Sequence, residues 1–340
     1  MLESILPLGK LPPQLAAQLL SQIPQPDSRV LLGPGVGLDC AVLDFGETCL
    51  VIKTDPITFV AEDIGWYAVQ ICSNDIATTG AQPRWFLTML LLPEGKTTPE
   101  MVLSINEQVF KACQEKNISV IGGHTEITYG LDRPILMGTM IGEVAKSELI
   151  TPQNAYPGNK LLLTKSVPIE GTAIIAREFH DRLGAILSEA ELKIAANGIY
   201  TPGISVYRDA QLAVKAGKVT AMHDPTEGGL AAALWEMAEA CGHTFIIHQQ
   251  HIAVSLVSQK ICNFFQINPM ATIASGALLM AVATEDSQSI CEKLIRQGIP
   301  CREIGFIEAG EAQVYSEEKH SRIKLPRPER DEITRLFESE

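Results

Sequence analysis

The sequence predicts a two-domain, mixed α/β protein. Three observations carry this. The chain has 340 residues, enough for two domains of ordinary size. Strand-like and helix-like segments alternate in both halves. A proline- and glycine-bearing segment, Thr151 to Asn159, separates two apolar regions and marks a boundary near residue 150. The expected parts are residues 1–150, residues 151–325 and a polar, surface-lying tail at 326–340.

In the first part, strands are expected at Thr48–Thr54, Trp85–Leu92, Ser119–Ile121 and Pro134–Glu143. Each is apolar or β-branched and ends at a turn or polar cluster. Two helices lie between them, Ile64–Thr79 and Pro99–Lys116. The second carries Thr98 as N-cap, Pro99 at the first helical position, and Met101, Ile105, Val109 and Ala112 at helical spacing. In the second part, strands are expected at Lys160–Lys165, Phe245–His248, Gly276–Val282 and Arg302–Ile307. Helices are expected at Gly171–Asp181, near Ser188–Ala196, and at Ser205–Ala216, Gly228–Ala240 and Ser287–Arg296.

Composition narrows the function. A net charge of −13 argues against broad nucleic-acid or anionic-membrane binding, and an anionic ligand would need a metal or a local basic patch. The eight cysteines form no C-x-x-C pair, so zinc ribbons and thioredoxin-like sites lack support, and reduced, mostly buried thiols are expected. The N-terminus, interrupted by Pro7, Pro12 and Pro13, reads as neither signal nor transit peptide. No apolar run reaches the ~18 residues that span a membrane. A cytoplasmic protein is expected, and Asn117-Ile118-Ser119 is then a chance glycosylation sequon.

Five places could carry chemistry. Asn74 and Asp75 sit near the end of the apolar Ile64–Thr79 helix, before a glycine stop at Gly80. A buried carboxylate needs a partner or a metal, although Asp75 also fits an exposed or locally hydrogen-bonded residue. Gly33-Pro34-Gly35-Val36-Gly37 is a glycine-rich loop that reads as a plain turn or as a phosphate cradle of backbone N–H groups. It lacks the Lys of a P-loop and, with Leu38, the third glycine of a dinucleotide fingerprint. Asp39 closes that loop, and Asp55 ends a strand before Pro56. Together with Asp75 they are hard oxygen donors of the kind Mg2+ uses, provided they converge. Gly122-Gly123-His124-Thr125-Glu126 follows a strand. There His124 and Glu126 read as a base, a phosphate contact or a metal ligand, or His124 as a hydrogen-bonded structural residue. Finally, His223-Asp224-Pro225-Thr226-Glu227-Gly228-Gly229 precedes a helix, with Asp224 and Thr226 as caps or as part of a phosphate and metal site.

These segments, in this order, resemble one superfamily. Its members include aminoimidazole ribonucleotide synthetase, selenophosphate synthetase, thiamine-monophosphate kinase and the hydrogenase maturation protein HypE. The resemblance rests on Gly37-Leu38-Asp39, Thr54-Asp55, Asn74-Asp75 with Gly80-Ala81, Gly122-Gly123, Pro157-Gly158 and Asp224-x-Thr226-x-Gly228-Gly229. HypE and HypE-like proteins look closest. The resemblance implies a two-domain PurM-like fold (that of aminoimidazole ribonucleotide synthetase), whose N-terminal strands pair across a homodimer into a barrel. It implies ATP and Mg2+ as cofactors, with Asp39, Asp55 and Asp75 on the metal. Gly35, Gly37, Asn74, Gly122, Gly123, Asp224, Thr226 and Gly228 would bind the nucleotide, and His124 or Glu126 would face the substrate.

Members of this superfamily phosphorylate an oxygen; HypE does so on a carbamoyl group carried by its own C-terminal cysteine. This sequence departs at three places. Its last residue is Glu340 and its last cysteine Cys301, His124 stands where HypE carries an aspartate, and Asn159 replaces an expected aspartate. The leading expectation is a Mg-ATP-dependent enzyme that activates an oxygen of a small substrate. The alternatives are a non-catalytic nucleotide-binding partner or scaffold in metalloenzyme maturation, and a small-molecule kinase of cofactor metabolism.

Overall fold

The structure, a computed structural model, describes residues 6, 8–24, 27–35, 37–58, 60, 62–319 and 321–338. Val36 of the glycine loop and the last two residues of the tail lie outside them. The described residues fall into two units. One holds residues 26–33 and 39–149, and the other holds residues 1–25, 34–38 and 150–340. The early segment and the glycine loop thus group with the C-terminal part. The C-terminal unit begins with helix α1 (Pro13–Leu20).

The N-terminal unit runs β1 (Val30–Leu32), β2 (Ala41–Phe45), β3 (Thr48–Ile57), α2 (Ile64–Thr78), β4 (Gln82–Pro93), α3 (Pro99–Glu115), β5 (Ser119–Thr128) and β6 (Ile135–Ala145). Its sheet has the order β1-β2-β3-β6-β4-β5. β4 and β5 are parallel, joined through α3, and the remaining pairs are antiparallel.

Helix α2 is enclosed around nearly its whole circumference, and its buried residues include both apolar side chains and Gln70, Ser73, Asn74 and Asp75. All its residues except Trp66 are buried, between the sheet on one side and α3 on the other. Two glycines of β6 admit it. A Cβ on Gly138 would lie 2.9 Å from Cys72 Sγ, and one on Gly142 would lie 2.4 Å from Ile76 Cγ2. These contacts seat the turn of α2 that carries Asp75. On α3, Thr98 accepts the Met101 N–H as N-cap, and Ile105, Val109 and Ala112 are buried.

Two strands differ from the expectation. β3 does not stop at Asp55: pairing with β6 continues through Asp55↔Gly138 to Ile57↔Leu136, with Pro56 tolerated inside it. β5 does not stop at Ile121 either. It runs through Gly122 and Gly123 to Thr128, paired with β4 along its length and, among the described residues, at the edge of the sheet. The two glycines therefore lie inside the strand rather than after its end.

The C-terminal unit continues with β7 (Lys160–Thr164), α4 (Ile169–Glu178), α5 (His180–Leu183), α6 (Glu189–Ala196), α7 (Tyr207–Ala216), β8 (Val219–His223) and α8 (Gly229–Cys241). Then come β9 (Thr244–Ile247), α9 (Leu256–Phe265), β10 (Leu279–Val282), α10 (Ser287–Arg296), β11 (Cys301–Glu308), β12 (Gln313–Glu318), β13 (Ser321–Lys324) and α11 (Thr334–Phe337). The sheet order is β13-β12-β9-β11-β7-β10-β8. Its core gathers Leu161 and Leu163, Leu230, Leu234 and Trp235 of α8, Phe245, Leu279 and Ile304. α1, β8, α9, β12, β13 and α11 lie outside the expected elements. The segment after Leu325 is not loose: Asp331, Ile333, Thr334 and Leu336 are buried.

Candidate functional site

Side chains alternate along β3, so Cys49, Val51, Lys53, Asp55 and Ile57 share the face on which Cys49, Val51 and Ile57 are buried. Apolar residues open that face, and a cation and an anion continue it. Asp75 comes to the same place from α2, and Asp39 from the segment before β2. Lys53 Nζ is the point where they meet, 3.3 Å from Asp75 Oδ1, 3.4 Å from Asp55 Oδ2 and 4.0 Å from Asp39 Oδ1. The Asp75 side chain is 4% exposed, Lys53 15%, Asp39 23% and Asp55 26%.

Burial alone would push the Lys53 ammonium toward neutrality, but the carboxylates outweigh it. Asp75 first, then Asp39 and Asp55, hold the Lys53 pKa well above the ordinary value. Lys53 is thus a permanent cation inside the acid set. Three carboxylates still outnumber one ammonium, and hard oxygens in that excess are a donor set that fits a divalent cation such as Mg2+. Asn74, next to Asp75, is fully buried in α2.

His124 and Glu126 lie two residues apart on β5 and so share a face. His124 Nε2 is 3.6 Å from Glu126 Oε2, and both side chains are more than half exposed. Gly122 pairs with Leu87 and Gly123 with Thr88 of β4. A Cβ on Gly123 would fall 2.2 Å from Thr88 O, so only glycine fits there.

In the C-terminal unit the glycine loop and the start of α8 line one cavity of about 340 Å3, together with Lys10, Glu236 and Asp331. Gly35 O accepts the Leu38 N–H at 3.3 Å, which closes the loop into a turn. Gly37 (φ +72°) packs onto α8, where a Cβ would meet Glu236 O at 2.6 Å. Lys10 Nζ reaches Thr226 Oγ1 at 3.5 Å.

The α8 N-cap is not Asp224 or Thr226. Gly228, at φ +82°, holds that position with no side-chain cap of its own. Its N–H donates instead to Asp331 Oδ2 at 2.6 Å, and Asp331 Oδ1 accepts the Ile333 N–H at 2.8 Å. The sequence expectation failed here because the carboxylate arrives from 103 residues away. Burial pushes Asp331 up to about 7 despite those two N–H groups, and Glu227 and Glu170 push the same way. Asp224 is buried just after β8.

Beside Asp224, His223 Nε2 lies 2.9 Å from Glu236 Oε2. Burial opposes charge on Glu236, but the His223 hydrogen bond and the charges of Lys10, His223 and Arg327 hold its carboxyl down at about 2. Asn159 has a structural place: its Oδ1 accepts the Tyr156 N–H at 3.1 Å and the Thr220 hydroxyl at 2.7 Å.

Residues 37–144 match the AIR synthase related protein N-terminal domain, and residues 156–316 match the corresponding C-terminal domain. The chain belongs to the AIR synthase related family. Within this family it is 31% identical to a provisionally named hydrogenase expression/formation protein of Methanocaldococcus jannaschii, over 77% of each chain. It is 26% identical to the carbamoyl dehydratase HypE of Azotobacter vinelandii, over 77% of this chain and 76% of that one. Among solved structures, HypE in complex with ATP superposes with a TM-score of 0.71 at 21% identity, over 94% of this chain and 91% of that one. This last likeness places the AIR synthase related fold on nearly the whole chain.

Four residues of this family member escaped the sequence reading: Lys53, His223, Glu236 and Asp331. Lys53 had a usable signal, since it falls on the inward-facing register of a strand whose other inward positions are apolar. His223 was inside a recognised motif but was passed over for its neighbour Asp224. Glu236 and Asp331 gave no local signal, because their partners are distant in the chain.

Proposed function

We propose that this chain uses ATP with Mg2+ to phosphorylate an oxygen of a small substrate and so activate it. The observation that carries this reading is the convergence of Asp39, Asp55 and Asp75 around Lys53 in an AIR synthase related chain. Support also comes from the relative named carbamoyl dehydratase and from the ATP complex of a protein with the same fold.

When bound, Mg-ATP would supply the phosphoryl group and neutralise charge on it. Asp39, Asp55 and Asp75 would hold the ion, and Lys53 keeps one fixed positive charge among them. Asn74, Gly122 and Gly123 in the N-terminal unit, and Gly35, Gly37, Asp224, Thr226 and Gly228 in the C-terminal unit, are the residues we assign to nucleotide contacts, the glycines because they allow close backbone approach. His124 and Glu126 lie 3.6 Å apart and are both accessible, placed for either to take a proton from a substrate hydroxyl or amide. Catalysis of this kind is mostly positioning and charge neutralisation.

A homodimer would follow from β5. Among the described residues its outer edge is unpaired, and Ile121, Ile127 and Tyr129 are exposed beside it, Tyr129 at 85%. A second copy pairing there would remove both liabilities. Among the described residues no helix is long and apolar enough to cross a membrane.

The test is ATP turnover measured with amide and hydroxyl acceptors, for the wild-type chain and Asp75→Asn. A loss of at least about a hundredfold in turnover is expected for the variant, the scale of removing charge stabilisation from a phosphoryl-transfer site. Unchanged turnover would overturn the assignment. A second reading is favoured by the name of the 31% identical relative: a nucleotide-binding partner in hydrogenase maturation. It would show nucleotide binding with no turnover on any acceptor.

A further inference from the structure

Two thiols of the C-terminal unit touch. Cys291 on α10 and Cys301, the first residue of β11, place their Sγ atoms 3.0 Å apart. Cys301 is buried and pairs across the sheet with Thr164 of β7, whereas Cys291 is partly exposed. Between them lies only the end of α10 and a turn through Gly298. A disulfide has its sulfurs at about 2.05 Å, so closure needs roughly 1 Å of approach, which one helix turn and a glycine can supply.

The chemistry of the pair is asymmetric. The hydrogen bond from Cys301 lowers the pKa of Cys291, against burial, while that same bond and burial raise Cys301. The Cys291 sulfur is therefore the one favoured as thiolate, and the buried Cys301 sulfur keeps its proton. A low-pKa, accessible cysteine beside a second thiol is the arrangement of a redox-responsive pair.

We propose that Cys291 and Cys301 form a reversible thiol–disulfide site, closed by a peroxide and reopened by a dithiol. In the first step the Cys291 thiolate attacks one peroxide oxygen, the O–O bond breaks, and hydroxide leaves and takes a proton to become water. Cys291 is then a sulfenic acid. In the second step Cys301 Sγ attacks Cys291 Sγ, the S–O bond breaks, and the Cys301 proton leaves with the hydroxide as a second water. Two thiols are oxidised by two electrons, and one peroxide is reduced to two waters. A dithiol reverses the closure by exchange. The bond ties α10 to the strand next to β7, whose Thr164 hydroxyl donates to Asp209, the residue that anchors the buried Lys165 ammonium at 2.9 Å.

The experiment treats the full chain with a few equivalents of hydrogen peroxide, blocks the remaining thiols by alkylation, and digests without reductant using trypsin and a glutamate-specific protease. These enzymes separate residues 286–292, with Cys291, from the peptide holding Cys262, and release residues 297–302 with Cys301. The expected product is the 286–292/297–302 pair, lighter than the two reduced peptides together by two hydrogens and split again by dithiothreitol. Cys301→Ser should stop at sulfenic acid on Cys291, trapped by dimedone. Should that variant not fold, Cys291→Ser is the alternative, in which buried Cys301 should stay reduced under the same peroxide. The proposal is overturned if Cys291 advances to sulfinic acid while Cys301 remains alkylatable, if either cysteine links equally to Cys241 or Cys262, or if Cys301 oxidises as fast without Cys291.

Discussion

Lys53 Nζ lies 3.3 Å from Asp75 Oδ1, a contact that joins the inward face of β3 to the last turns of α2. It exists because two elements meet closely. The strand puts a lysine where its alternation demands a buried residue, and glycines of β6 let the helix carry an aspartate down to it. Each such pair is worth about 4 kcal/mol at an effective dielectric near 20, while taking one ion from water costs several kcal/mol. Three carboxylates around one ammonium tip that balance, and the raised Lys53 pKa reports the outcome.

Removing the cation should therefore expose the repulsion. Lys53→Met is expected to lose about 3–5 kcal/mol in metal-free buffer, the usual cost of leaving buried charge without its partner. Millimolar Mg2+ or Mn2+ should restore part of it, since a divalent ion can then neutralise the same oxygens. Urea denaturation with EDTA and with metal measures both quantities. Equal loss in the two buffers would show that the acids do not hold a divalent ion.

Asp331 gives a pH dependence of defined sign. Its carboxyl titrates at about 7 in the folded chain against an ordinary 3.8, so the folded state keeps a proton that the unfolded chain has released. The contribution is fully present below about pH 4 and is lost as pH rises through 7. The shift corresponds to about 4 kcal/mol as an upper limit. Asp331→Asn keeps an oxygen for the Gly228 N–H but cannot ionise. Thermal unfolding between pH 5 and 8 should fall steeply for the wild type and flatten in the variant. Parallel slopes would contradict the assignment.

Gly142→Ala tests the seating of α2. The added methyl would land 2.4 Å from Ile76 Cγ2 and 2.9 Å from Gln82 O, and overpacking of this kind costs about 1–3 kcal/mol. The loss should appear in urea denaturation, and a neutral result would mean that the helix is free to shift.

Much of this fold was legible because its elements are locally consistent. The Thr98 cap, the Pro99 start and the apolar stripe of α3 sit in one window of sequence, as do the acids and glycines of the motifs. Asp39, Asp55 and Asp75 could be named as candidates, yet their meeting could not, because convergence depends on sheet order and on how deeply α2 sits. Gly122 and Gly123 misled for a related reason: two adjacent glycines read as the end of the strand, whereas here they extend an edge strand against Thr88. The tail misled because its polar composition hides Ile333 and Leu336, and because Asp331 answers a helix N-terminus a hundred residues earlier. Lys53 was readable in principle from alternation alone, which sets it on the face shared by Cys49, Val51 and Ile57.

The measurement closest to the central claim is calorimetric titration of a non-hydrolysable ATP analogue with Mg2+ into the wild-type chain and Asp75→Asn, both below their unfolding temperatures. The account predicts saturable, Mg2+-dependent binding to the wild type and affinity at least about tenfold weaker in the variant, as losses around a metal site usually are. Equal affinity in the two proteins, or binding indifferent to Mg2+, would contradict it.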